Sequence, residues 1–200
     1  MFECPYSPDP AIRSEEYLDL ERSARQKHEY HRGEVFAMGD ASYAHTVVVG
    51  NLAREIGQQI KGKPCRVSPT DLRVRVGESG LYTYPDIVVV CGPPRLEQPD
   101  DTLVNPTVII EVLSEATEAY DRGRKFELYQ SIPSLTDYVL VAQGTARIEH
   151  FQRQPSGHWL YTAENRLEAS IAVPSIGGEL SLAEVYDKVD GLSEPLARYQ

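Results

Sequence analysis

No stretch of this 200-residue chain approaches the roughly 18 consecutive apolar residues that a membrane-spanning helix needs, so no membrane partner is expected. Its first residues, Met-Phe-Glu-Cys-Pro-Tyr, lack the basic region and apolar run of a secretory signal, which makes a cytoplasmic location the expectation. Cysteine is scarce. Cys4, Cys65 and Cys91 are odd in number and widely separated, with neither paired zinc spacing nor a disulfide framework. Cys91 ends an apolar run and reads as a small buried hydrophobe. Positive charge is in deficit: 20 Lys and Arg against 30 Asp and Glu give a net charge of -10. That balance opposes tight, non-specific binding to a polyanion, but it permits a local basic patch or carboxylates masked by metal ions. There is no glycine-rich phosphate loop, and Ser42 and Ser114 lack the partners of a hydrolytic triad.

What remains is an ordinary globular composition, 41% hydrophobic and 25% charged, of a size that suits one domain with a real core. We expect a flexible segment over 1–13, a single domain over 14–190 and a tail over 191–200. Ser14 to Glu21 reads as a short helix. His28 to Met38 reads as a hairpin turning at Arg32-Gly33, with Glu34 opening the return strand. From Ser42 to Ile60, Val49, Leu52, Ala53, Ile56 and Ile60 make one apolar helical stripe, stopped by Gly62 and Pro64. Strands are expected at Cys65–Ser68, Asp71–Val76, Tyr84–Cys91, Thr107–Leu113, Asp137–Ala142, Ala146–Phe151 and Trp159–Thr162. Helices are expected at Ser114–Ser131 and from Ser181. The fold class is α/β (α+β), a mixed central sheet flanked by helices.

Two apolar strands carry a carboxylate, Asp86 in Tyr84-Pro-Asp-Ile-Val-Val-Val-Cys91 and Glu111 in Thr107-Val-Ile-Ile-Glu-Val-Leu113. Burying either is costly unless it is paired or binds a cation. The following helix carries Asp121 and Lys125 on one face, with Ala116, Ala119, Gly123 and Phe126 as a small stripe to lie against the sheet. Clustered acids suit Mg²⁺ or Mn²⁺, which polarises a phosphoryl oxygen, and a nearby lysine can stabilise developing charge or position water.

Tyr84-Pro-Asp86, Ile110-Glu-Val-Leu-Ser114, Thr117, Asp121, Lys125, Tyr129 and the Asp137-Tyr-Val-Leu-Val strand together resemble the Uma-type family of restriction endonucleases, within the PD-(D/E)XK nuclease superfamily. The resemblance runs from Ser14 through Tyr186. It implies a restriction-endonuclease-like core and metal-dependent hydrolysis of DNA. Asp86 and Glu111 then match the two acids and metal ligands, and Glu34 corresponds to a further acid from the N-terminal side. The superfamily lysine would stand two residues after Glu111, where this chain has Leu113; Lys125 on the next helix is the substitute.

Each residue also has a plainer reading. Asp86 could cap a turn, Glu111 could pair with Arg73 or Arg75, and Asp121 with Lys125 could be a surface pair. Glu34 could be a solvated hairpin residue. His45, in the first turn of the long helix, could approach the cleft but is kept off the site. His150 and His158 read as exposed strand positions. The leading expectation is a metal-dependent endonuclease, with Glu34, Asp86, Glu111 and Lys125 catalytic and a homodimer as the simplest way to cut both strands. A nuclease-fold interaction module without turnover is the alternative, favoured by Leu113 and by the charge. A metal-free glycosidase with two acids is disfavoured by the lysine.

Overall fold

The computed structural model describes residues 12–77, 80–97 and 99–193; Cys4, most of the expected N-terminal segment and residues 194–200 of the expected tail lie outside them. Helix α1 (Ser14–Ser23) precedes the hairpin β1 (His28–His31) and β2 (Glu34–Ala37). Arg32 and Gly33 turn it with positive φ angles of 51° and 97°, the second at a residue that adopts such angles without steric cost. Helix α2 (Tyr43–Gln59) follows, then β3 (Cys65–Pro69), β4 (Arg73–Val76), β5 (Leu81–Thr83), β6 (Ile87–Cys91), β7 (Leu96–Glu97), β8 (Thr102–Leu103) and β9 (Val108–Leu113). Two short α-helical pieces, α3 (Glu118–Tyr120) and α4 (Phe126–Tyr129), flank a π-helical turn over Asp121–Lys125. Strands β10 (Asp137–Ala142), β11 (Ile148–Arg153), β12 (Trp159–Glu164), β13 (Ser170–Val173) and β14 (Gly178–Ser181) lead to helix α5 (Leu182–Val185).

Two six-stranded mixed sheets result. The central one has the order β12-β11-β10-β9-β6-β3, with β9 and β10 parallel and the helical segment crossing between them. The other has the order β2-β1-β5-β4-β8-β7. The mixed central sheet and its flanking helices are those expected from the sequence pattern; the second sheet assembles from strands distant in sequence, such as β1 with β5 and β4 with β8.

Alternation along β6 and β9 sorts their side chains onto two faces. Ile87, Val89, Val108, Ile110 and Val112 pack under Val49, Leu52 and Ile56 of α2 and against β13, β14 and α5. Val88, Val90, Ile109 and Leu113 pack against Val74, Val76 and Leu81 of the other sheet and Leu128 and Tyr129 of α4. Burying each such aliphatic side chain contributes about 1.5–3 kcal/mol. Tyr17, Tyr30 and Tyr82 form a third cluster, which seats α1 on the β1–β5 strands.

Three expectations need correction. Cys91 is not a free thiol: β3 and β6 pair with Cys65 opposite Cys91, and the two are joined by a disulfide. His150 is buried and its Nε2 lies 2.6 Å from Asp137 Oδ1, because its face of β11 turns inward. The stripe Ala116, Ala119 and Gly123 faces solvent, while Asp121, Lys125, Leu128 and Tyr129 face the sheet. The helix buries its charged side because that side finds partners.

Candidate active site

Strand β6 begins at Ile87, two residues after Pro85, which has no N–H to give a ladder. Its antiparallel pairing with β9 ends at Ile87 opposite Ile110, and continuing that register by one residue sets Asp86 opposite Glu111. The Asp86 carboxylate extends the ladder with a side chain: Oδ2 accepts the Val112 N–H at 2.7 Å. The Asp86 N–H points at Glu111 Oε2, 3.4 Å away. Two acids that are 25 residues apart in sequence thus share one sheet position.

Glu111 is buried, and its burial is matched by partners. Lys125 Nζ lies 3.0 Å from its Oε1, and the Tyr129 hydroxyl donates to the same oxygen at 2.8 Å. Lys125 Nζ also lies 3.3 Å from Asp121 Oδ1 and 3.0 Å from Glu29 Oε1, with the Tyr120 ring 5.9 Å away. The π turn helps to collect these groups. In a regular α-helix, residues four apart drift steadily around the axis. The wider turn counters that drift, so Asp121, Lys125 and Tyr129 all face the sheet; π turns of this kind occur frequently at functional sites. The amine of Lys125 therefore reaches the acid from the helix, while Leu113 is buried in the apolar core. Arg73 and Arg75, the alternative partners for Glu111, pair with Asp101 and Glu97.

Glu34 is not part of this cluster. It sits at the hairpin's end, exposed, paired in register with His31. The N-terminal acid that reaches Lys125 is Glu29 on β1, which also accepts from the Thr83 hydroxyl of β5. The physical reason is sheet position: β1 is bonded on both sides, to β2 and β5, whereas β2 is the edge. Both acids lie on one face of the hairpin, so alternation alone could not separate them.

His45 belongs to the site as well. Ser42 caps α2 by accepting the His45 N–H at 3.1 Å, and Ser42 in turn donates to Gln143. The capped turn directs His45 Nε2 to 3.0 Å from Asp86 Oδ1. The legible signal was Ser42 as a helix cap three residues before a histidine.

Burial, with the charges of Asp121 and Asp86 adding to it, pushes the Glu111 carboxyl up to about 8 despite the lysine. Burial likewise raises Asp121, against the opposing pull of Lys125. Burial disfavours the Lys125 charge, but Glu111, Glu29 and Asp121 outweigh it and hold the amine protonated well above its ordinary range. The cluster is a buried ammonium shared among carboxylates, of which Glu111 and Asp121 retain protons readily.

The family model of Uma2, described as "Putative restriction endonuclease", matches residues 14–184. The chain belongs to this family. The chain is similar to the "Uncharacterized protein slr1290" of Synechocystis sp. (strain ATCC 27184 / PCC 6803 / Kazusa), 37% identical over 185 residues, covering 91% of this chain and 95% of that protein. The "Uncharacterized protein sll1609" of the same organism is 34% identical over 152 residues, 76% of this chain and 86% of its own. A crystal structure of "a putative nuclease belonging to DUF820" from Anabaena variabilis ATCC 29413 has the same fold, with a TM-score of 0.70 at 18% identity, covering 86% of this chain and 96% of that one.

In this Uma2-family chain, the donor set around Asp86 is one that a hard cation accepts. Among the described residues, no three His, Cys, Asp or Glu side chains are arranged to hold a metal ion. Mg²⁺ characteristically takes one or two carboxylates and completes its shell with water and substrate phosphate. Asp86 and Glu111, opposite each other across β6 and β9, are two carboxylates of the number such an ion takes. Among the described residues, no helix is long and apolar enough to cross a membrane.

Proposed function

We propose that this chain is a divalent-metal-dependent endonuclease hydrolysing DNA phosphodiester bonds. The observation that carries the reading is the contact of Lys125 Nζ with Glu111 Oε1, directly beside Asp86. A buried carboxylate beside a part-exposed one, with a protonated amine against the buried acid, matches the chemistry of phosphoryl transfer, in which catalysis is mainly positioning and charge stabilisation.

Asp86 and Glu111 would hold Mg²⁺ or Mn²⁺, which would supply Lewis-acid polarisation of a phosphoryl oxygen. Lys125, kept protonated by its acidic neighbours, serves as a cation and hydrogen-bond donor; it orients the attacking water and offsets negative charge gathering on the phosphoryl oxygens. A water oxygen bonds to phosphorus, the bond from phosphorus to the leaving oxygen breaks, and the water's proton is passed on as the leaving alcohol is protonated. Glu29 and Asp121 hold the lysine in place from two sides. His45 and the Val112 amide fix the Asp86 carboxylate. A homodimer would place two such sites on a duplex.

The alternative is a nuclease-fold interaction module without turnover, favoured by the apolar Leu113 and the net charge of -10. The reach of Lys125 to Glu111 counts against it. Plasmid cleavage with Mg²⁺ or Mn²⁺ decides: metal-dependent cutting by wild type, abolished by EDTA and by Glu111→Ala, is expected. Intact plasmid at high protein concentration, with single-stranded DNA left uncut as well, would leave the module reading.

A further inference from the structure

The route into the cluster is marked by exposure. Glu111, Lys125 and Asp121 are buried, while the side chains of Asp86, His45 and Glu29 keep 18%, 15% and 12% of theirs. A phosphodiester reaches the acids past these three residues. The rim there is built by the β1–β2 hairpin and the start of α2. The register Glu29 opposite Phe36 sets the Phe36 ring beside Glu29 on the same hairpin face, and Phe36 is 51% exposed. Tyr120 lies over Lys125 from the helical segment.

The charge around this rim is wrong for tracking a duplex. Glu34 and Asp40 are exposed near Phe36 in sequence. Three nearby cations are committed to carboxylates, Lys27 to Asp71, Arg122 to Glu118 and Glu149, and Arg124 to Glu127, which leaves Arg32, exposed at the hairpin turn. Binding to a duplex gains most of its affinity from free Lys and Arg that displace counterions along both backbones. Exposed rings offer a different source of affinity, since an unpaired base stacks on an aromatic face whatever its sequence. Inside a duplex those base faces are already occupied, and freeing one has to be offset.

We infer that the site takes a DNA strand whose bases are unpaired at the point of cleavage, with Phe36 as a stacking platform for a base flanking the scissile phosphate. The inference rests on the hydrolytic reading above and names its substrate class. Phe36 acts as a specificity determinant, remote from the reacting atoms.

The test compares one labelled sequence as a single strand, as a perfect duplex and as a duplex with a central unpaired bubble. Binding is read by fluorescence anisotropy with Ca²⁺ in place of Mg²⁺, and cleavage is read separately with Mn²⁺. The expected result is tighter binding and faster cutting of the single strand and bubble. Phe36→Ala should weaken their binding about 5- to 100-fold, and Phe36→Trp should retain it. A circular dichroism spectrum of each variant checks that the hairpin change leaves the fold intact. Equal or better binding and cutting of the perfect duplex, or no effect of Phe36→Ala in a folded protein, overturns the inference and leaves the nuclease reading standing. If no substrate is either bound or cut, the nuclease reading falls and takes this inference with it.

Discussion

Lys125 meets Glu111 across 3.0 Å from a helix twelve residues beyond Leu113, the strand position where the superfamily pattern has its lysine. The amine comes to the same acid by another path. On the strand, the Leu113 side chain completes the apolar layer between the two sheets. The site is therefore separable from the strand core, and substitutions at Lys125 and Leu113 should report on different things.

Lys125→Met should abolish metal-dependent cleavage, by about 10²-fold or more, in line with the loss of a positioned proton-donating group. It should also destabilise the protein by about 3–5 kcal/mol, because Glu111, Asp121 and Glu29 lose their shared counter-charge. Chemical denaturation and plasmid cutting measured on one preparation separate the two effects. Unchanged cutting by a folded Lys125→Met protein would remove the lysine from the mechanism.

Glu29 and Glu34 offer a contrast within one hairpin. Glu29→Gln should slow cleavage and lower stability, since it removes a charge 3.0 Å from Lys125. Glu34→Gln, at an exposed position, should stay within about 0.5 kcal/mol of wild type in stability and cut at the same rate. The reverse pattern in steady-state cleavage would return Glu34 to the site.

The pH dependence follows from Glu111. Its carboxyl is raised from 4.5 to about 8 in the fold, so between those values the folded chain holds a proton that the unfolded chain releases. Stability without metal should therefore fall as pH rises from about 4.5 to about 8, and the raised Asp121 adds to the same slope at its lower end. A metal ion needs the ionised carboxylate, so added Mn²⁺ should raise the thermal midpoint more at pH 8 than at pH 6. Glu111→Gln should flatten both trends. Calorimetric scans across that range provide the check.

The Cys65–Cys91 bond predicts a thiol count. One cysteine per chain should react with an alkylating reagent under denaturing, non-reducing conditions, and all three after reduction. Reduction should cost a few kcal/mol, about 3.5 by chain-entropy reasoning for a loop of this size. Mass spectrometry reads the count directly, and three reactive thiols before reduction would contradict the bond.

Local pattern determined much of this protein. Period-two and period-3.6 apolar spacing located the strands of the central sheet and the buried face of α2. A carboxylate in each of two apolar strands marked Asp86 and Glu111, because a charge among aliphatic residues must find a partner. The i, i+4 spacing marked Asp121 with Lys125, and all four groups meet in the fold. Pairing between distant segments decided the rest. Whether Glu29 or Glu34 reaches the lysine depends on which hairpin strand joins β5, and the alternation within the hairpin is the same for both. The Cys65–Cys91 bond depends on β3 lying beside β6 in one particular register, which an odd cysteine count obscured. His150 is buried because β11 sits under β13, and His45 joins Asp86 because α2 packs on the strand that carries it. Side-chain periodicity specifies a face, and it is a local property of the chain. The neighbour that covers the face is chosen by the summed packing of segments tens of residues apart, which only the assembled sheets express.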